Sequence, residues 1–420
     1  MLFRSQGTLG NQWTYGKIGK AGSFNGTDNY VQTTYVQNSV TAYTVAGWIK
    51  TTSTNESIIA ADRSAAGGGQ SITFGIDGFG ACQASSCFTS GTGKPFIILW
   101  ANSTAIGIGG NTAINDGKWH YVVGTWAASN GTSIAASQFN LYVDSILVAS
   151  PQTRTTGSAT SPLTGDSGGV TLGIEPAWSS ATQGTSLNGL LDNVRIYNYV
   201  RSQAQIAWEY NQGRPIGLWK FDECQGAVAH DSSGFGNDGT INLSTGGSQT
   251  TAIGMGTCTS NASTPWFNGT NGKFNSSLNF DGIDDNVSVA NTLSNVQSIA
   301  FWVKPATASA SLLQLSTGVG GADIYAASGV ISTDSITSPT KYVNGKVNGT
   351  LIGGSWNHVM VTTGAAITAN NILFGKLWRG VLNGQLDDVR IFNYPLTKVQ
   401  VQLLYNDGAA MQFAPVTGIP

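Results

Sequence analysis

Residues 187–213, LNGLLDNVRIYNYVRSQAQIAWEYNQG, recur at 382–408 as LNGQLDDVRIFNYPLTKVQVQLLYNDG, aligned without a gap and identical at about half of the positions. A chain that repeats itself at this length folds as copies of one unit in series. Earlier blocks match in the same order: GKIGKAGSFNGTDNYV with GKFNSSLNFDGIDDNV, VAGWIK with IAFWVK, GKWHYVV with GSWNHVM. The second copy carries about fifty residues, from GLWKFDECQGAVAHDSSGFGNDGT onward, that the first lacks. A sandwich without its first strand leaves an unpaired edge, which native chains avoid. The expectation is therefore a first domain over 1–213 that lacks its beginning, a complete second domain over 214–408, and a tail, 409–420, that is a linker or the start of a following segment. On this reading Met1 is not the native start and the chain is a piece of a longer protein.

Within each copy, short runs of Val, Ile, Tyr, Phe and Trp alternate with period two between clusters of Gly, Asn, Ser and Thr, the pattern of half-buried strands. Only 10% of the 420 residues are charged, against about 25% in ordinary soluble domains, and 55 are glycine. The excess is turn and strand chemistry, so the fold class is all-β: two tandem antiparallel sandwiches. The 12 Trp, 13 Tyr and 16 Phe exclude disorder. With 20 Lys and Arg scattered among 22 Asp and Glu, no basic footprint for nucleic acid exists, and no apolar run is long enough for a spanning helix. One short helix closes each copy, capped by Ser202 or Thr397. In SIAFWVK, alternation puts Ile299, Phe301 and Val303 on one face and Trp302 on the other; VAGWIK repeats this with Val45, Ile49 and Trp48. Both faces are partly apolar, which leaves open the one that meets the second sheet.

Four cysteines fall into two local sets, Cys82 with Cys87 and Cys224 with Cys258. Pairing between repeats would have to reach between domains, so two local staples and an oxidising compartment are expected. Free buried thiols are the alternative. The opening MLFRSQGTLG has no apolar segment and is not a secretory signal.

WKFDE, DSSGFGNDGT, LNFDGIDDNV, FWVK, WNHV and the closing LNGQLDDVRIFNYPLTKVQVQLLYNDG resemble the laminin-G-like, concanavalin A-like jelly-roll domain. The second copy matches from about Ile216 to Gly408, the first only from about Gly16 to Gly213. The resemblance implies an extracellular recognition or adhesion module, often appended to larger surface proteins and frequently holding calcium. A fold alone does not fix a function.

Catalysis finds little support. Retaining glycoside hydrolysis needs two carboxylates about 5 Å apart, and the four glutamates, Glu56, Glu175, Glu209 and Glu223, are not spaced to share a strand face. The histidines, His120, His230 and His358, accompany no G-x-S-x-G serine. Calcium needs six to eight oxygens from Asp, Asn and backbone. Alternation in LDDVRIF places Asp387 on the face of Val389 and Ile391, aimed at the core edge, and Asp192 recurs in the first copy. Its expected companions are Asp222 and the loop residues Asp231, Asn237 and Asp238; turn capping is the competing role for each. Asp281, Asp284 and Asp285 form a second acidic turn, whose counterpart Asn25, Asp28 and Asn29 keeps one charge. For ligand contact, Trp178 and Trp378, in the loop before the last strand of each copy, are the stacking candidates. The sequence thus points to a non-catalytic, extracellular module, without membrane insertion or nucleic acid, that binds glycan or a surface protein and holds structural calcium. A structural spacer in a surface stalk is the alternative, and a glycoside hydrolase the distant one.

Overall fold

The computed structural model describes residues 2–4, 12–35, 39–54, 57–62, 70–76, 93–101, 104–163, 169–174, 186–243, 246–251, 258, 261–267, 269–316 and 321–407. Cys82, Cys87, Glu56, Glu175, Trp178 and the tail 409–420 lie outside these. The chain divides into two units, Met1–Tyr210 and Asn211–Pro420, a boundary within three residues of the one drawn from the repeat.

Each unit is built from two antiparallel sheets. In the first, an eight-stranded sheet is centred on Ser57–Asp62, Gln70–Ile76, Pro95–Ala101 and Thr104–Gly109, and a seven-stranded sheet on His120–Ala127, Ala42–Lys50 and Asn188–Tyr197. In the second, a sheet around Asn383–Phe392, Leu293–Pro305, Asn357–Ala369 and Thr340–Val343 faces one that ends in the meander Ala310–Gln314, Asp323–Ala327 and Val330–Asp334. The inner faces interdigitate. Ile299, Phe301 and Val303 share one core with Leu312, Ile324 and Phe374 of the opposite sheet, while Val45 and Ile49 share another with Ile72, Phe74, Ile97 and Leu99. This is the all-β sandwich that the period-two pattern predicts.

The tryptophans at the centre of each strand face outward and are covered by a helix. Helices α1 (Gln203–Asn211) and α2 (Lys398–Asp407) close the two repeats. Tyr210 stacks on Trp48 at 5.4 Å and 21°, and Tyr405 on Trp302 at 5.9 Å and 27°. That covering explains why both faces of VAGWIK and FWVK are apolar: one meets the opposite sheet and the other the helix. The helix starts are fixed reciprocally. Thr397 Oγ1 accepts from Gln400 N–H (3.3 Å) while Gln400 Oε1 accepts from Thr397 N–H (2.8 Å), and Ser202 and Gln205 repeat the arrangement, the glutamine form of a capping box.

One expectation from alternation is corrected. Asp388 and Asn193 adopt φ of 49°, and the ladder slips beside them, between Asp192 and Arg195 in one unit and opposite Ala300–Trp302 in the other. An extra residue of this kind is a β-bulge, and it inverts the facing of what precedes it. Leu386, Val389 and Ile391 all enter the core, but Asp387 pairs across the strands with Trp302, and Asp192 with Trp48. The aspartates therefore stand on the outer face, not on that of Val389.

Candidate functional site

On the outer face of the second unit, Lys220, Asp222, Phe274, Asn275, Asp387, Asp388 and Arg390 line a cleft of about 220 Å³. Asp387 is 1% exposed; its Oδ2 accepts the Phe274 N–H at 2.8 Å, and among the described residues its Oδ1 has no hydrogen-bond donor. Burial, with Asp388 and Asp222 nearby, pushes its carboxyl up to about 8. Asp192 does the same work in the first unit, accepting the Ile18 N–H at 2.7 Å. In both, the fastened loop carries a lysine over the central indole: Lys17 lies 4.8 Å from the Trp48 ring and Lys273 4.2 Å from the Trp302 ring. The repeated aspartate is thus a loop clamp. After the bulge, Arg390 Nε donates to Asp388 Oδ1 (3.2 Å) as Arg195 Nε does to Asn193 Oδ1 (3.1 Å).

The companions expected beside Asp387 in the second unit, Asp222, Asp231, Asn237 and Asp238, do not form one set with it. Asp222 and Asp387 line the same cleft, beside Lys220 and Arg390. Asp222 accepts from Ser276 N–H (3.2 Å). Asp231 is spent on local donors, Leu218 N–H, Ser233 N–H and Asn237 N–H, each at 2.9 Å. Asp238 Oδ1 accepts the Asp231 N–H at 2.7 Å, and the Asn237 amide donates to Ile216 O at 2.8 Å. This loop is a turn held by carboxylate-to-backbone bonds, and Asp192 belongs to the other unit. Cys224 and Cys258, by contrast, are joined in a disulfide.

The titratable groups weighed for catalysis have structural partners. Glu209 and Glu223, the glutamates among the described residues, belong to different units. Glu209 accepts from Tyr121 Oη and Tyr197 Oη, both at 2.7 Å, and pairs with Arg201. Burial raises Glu223. His120 bonds Asp144 (2.8 Å) and Asp116 (3.0 Å), which raise its pKa. His358, packed on Trp302 at 5.0 Å, is held neutral by burial, at about 3.

Trp378 stands on a two-stranded hairpin, Lys376–Leu377 with Gly380–Val381, and is 51% exposed. The Arg379 guanidinium lies 4.3 Å from its ring centroid and 4.6 Å from that of Tyr325. Asp334 anchors that guanidinium at 2.7 Å. Across the strands from Asp334 sits Asp323, fully buried, neither oxygen accepting a hydrogen bond among the described residues. Its burial, then the Asp334 charge, raise it to about 6, against the opposing pull of Arg379 and the Trp378 indole. Sequence reasoning found Trp378 from its loop but missed its companions, because Tyr325, Asp334 and Arg379 meet only when the meander folds beside the hairpin.

Two facing antiparallel sheets closed by an edge helix, with a polar cleft and an aromatic rim, define a lectin-like jelly roll. Residues 25–207 match the family model described as the concanavalin A-like lectin/glucanases superfamily, Laminin_G_3. Solved structures similar to the chain include a heptameric SAP-like pentraxin from Limulus polyphemus, with 18% identity, 46% of this chain and 82% of that one covered, and a TM-score of 0.31. The mouse laminin α1 LG4-5 domains share 11% identity, with 89% and 90% covered and a TM-score of 0.27. The CBM40 of a Ruminococcus gnavus sialidase, bound to α2,3-sialyllactose, shares 12%, with 44% and 96% covered and a TM-score of 0.29. No curated protein matches the chain.

Proposed function

We propose that the chain is a non-catalytic recognition module of extracellular protein, binding glycan through the rim hairpin of its second unit. The observation that carries this reading is the exposed Trp378 ring with Arg379 stacked between it and Tyr325. An indole face packs on the C–H face of a sugar ring, while a guanidinium and neighbouring carboxylates bond its hydroxyls, the combination of apolar surface and a few fixed polar groups that small-ligand sites use. The Asp334 anchor and the hairpin pre-set the geometry, which lowers the ordering cost of binding. The Cys224–Cys258 disulfide supports an oxidising, extracellular setting. No described helix is long and apolar enough to cross a membrane.

A glycan array probed with the full chain tests the reading. We expect hits that Trp378→Ala reduces at least tenfold while thermal stability stays within a degree or two, since the ring is half exposed. An array silent to the wild type, or hits indifferent to Trp378→Ala and Arg379→Ala, would refute the rim as the binding surface; silence would favour the structural-spacer reading.

A further inference from the structure

The last strand of each repeat has the same residues beside it on one flank and different ones on the other. In the second unit, Leu278–Asp281 pairs with the first half of Asn383–Phe392, and the short strand Gly217–Trp219 pairs with the second half on the same flank. Gly217 stands opposite Ile391, Leu218 opposite Arg390 and Trp219 opposite Val389, and Ile391 O accepts the Ile216 N–H at 2.8 Å. In the first unit, Lys20–Asn25 pairs with Asn188–Leu191, but no described strand lies on that flank of Val194–Ile196. The strands themselves are near copies, DNVRIY against DDVRIF. The difference is read in burial: Val389, Ile391 and Phe392 are sealed, whereas Val194, Ile196 and Tyr197 are only half-buried. An open strand edge with apolar side chains at its margin is a template for pairing with another chain.

The filled position in the second unit specifies what the open one takes. Trp219 is fully buried, edge-on to Phe374 at 4.8 Å, with its indole N–H donating to Asn237 O at 2.9 Å. A Cβ on Gly217 would overlap the Trp219 ring, so the residue two before the tryptophan is glycine. In the first unit Leu172 stands where Phe374 does: each precedes a glycine of positive φ, Gly173 or Gly375, whose Cβ position abuts Phe24 or Phe280. The smaller leucine leaves room for an indole. Charge points the same way. Asp222, three residues beyond Trp219, accepts the Ser276 N–H at 3.2 Å and shares a cleft with Arg390. In the first unit the place of Ser276 is held by Lys20, GKIGK against GKFNS, and that of Arg390 by Arg195. Lys20 is exposed and forms no ion pair among the described residues. Arg195 reaches Glu209 at 3.4 Å and shares it with Arg201. An incoming carboxylate meets both cations.

We infer that the edge Val194–Ile196 of the first unit is a docking slot for an extended segment of a partner chain, carrying glycine, an aliphatic residue and tryptophan in succession and a carboxylate three residues further on. The segment adds antiparallel to the sheet: main-chain hydrogen bonds supply affinity, and the indole entering the end of the sandwich supplies selectivity, the mode known as β-augmentation. The slot lies in the first unit and the rim hairpin in the second, so neither reading depends on the other.

Calorimetric titration of the full chain with a synthetic peptide of residues 215–223, PIGLWKFDE, tests it. We expect one peptide to bind per chain. Trp219→Ser in the peptide and Ile196→Lys in the chain should each weaken binding by roughly tenfold or more, and Asp222→Lys in the peptide should weaken it by a smaller factor that shrinks as salt rises. Register is read by a disulfide trap. Facing residues of an antiparallel pair lie about 4.5–5.5 Å apart between Cα atoms, within disulfide reach, so Leu218→Cys in the peptide should cross-link to Arg195→Cys in the chain. Absence of binding by the wild type overturns the proposal. So does binding indifferent to Ile196→Lys, which would mean that the peptide exchanges with its own counterpart in the second unit. Self-association of the chain that Ile196→Lys abolishes would overturn the partner-chain reading in favour of a second copy. Should Ile196→Lys not fold, the Arg195→Cys trap decides, because that side chain is turned away from the core.

Discussion

Asp387 shows how a single residue can be legible in type and misread in direction. Its repetition as Asp192 marks a position with a fixed task, and strict alternation assigns it to the core edge. One bulged residue, at φ of 49°, reverses that. Nothing in LDDVR announces the bulge to a period-two reading, because Asp and Asn tolerate the left-handed region without glycine. The buried position has a measurable consequence. A carboxyl whose folded pKa lies near 8, above its ordinary value of 3.8, contributes stability that is complete below pH 4 and is lost as the pH climbs through 8. Asp387→Asn keeps the Oδ acceptor for the Phe274 N–H and removes the ionisation. Denaturation curves should therefore match the wild type near pH 4, and the variant should gain progressively to pH 9, by on the order of several kcal/mol. A gain that does not depend on pH would contradict this account.

At the scale of elements, the helices were readable and their burial was not. Ser202 and Thr397 signal the starts through the S/T-x-x-Q spacing, and the structure satisfies both. Beyond the tyrosine–tryptophan stack that both copies share, what fastens each helix differs between them. In α2, Tyr405 lies 6.1 Å from His358 and 5.9 Å from Trp302, an aromatic contact with a neutral imidazole. In α1 the buried Glu209 collects two tyrosine hydroxyls and Arg201, and one of the tyrosines, Tyr121, lies 88 residues away in sequence, out of reach of any local pattern. Removing one partner of a buried charged network leaves the others unpaired at a cost of about 3–5 kcal/mol. Glu209→Ala is expected to lower the stability of the first unit by that order in urea denaturation, with Glu209→Gln losing less because its amide oxygen still accepts from one tyrosine. The close approach of the flanking strands explains a repeated glycine: a Cβ on Gly384 would overlap Lys304 O, and one on Gly189 would crowd Lys50 O, so LNG recurs intact in both copies.

For the whole molecule, architecture followed from repetition and period, whereas the sites did not, because each rim feature joins segments from separate turns. Among the described residues the two cores share none: one runs from Phe24 to Leu191, the other from Ile216 to Ile391. Two units with separate cores should melt in two transitions. The Cys224–Cys258 disulfide, with a sequence separation of 34, belongs wholly to the second. In the loop-entropy treatment a ring of that size stabilises by about 4 kcal/mol. It ties the strand-rich start of that unit, around Trp219, to the segment beside Gly269, whose Cβ position would lie 3.6 Å from Cys258 Sγ. Replacing both cysteines by serine should accordingly lower the upper or lower transition that belongs to the second unit by several degrees and leave the other in place, as followed by scanning calorimetry with limited proteolysis to assign the transitions. Equal displacement of both transitions would mean that the units unfold as one body, and no displacement would mean that the disulfide closes a loop already ordered in the unfolded chain.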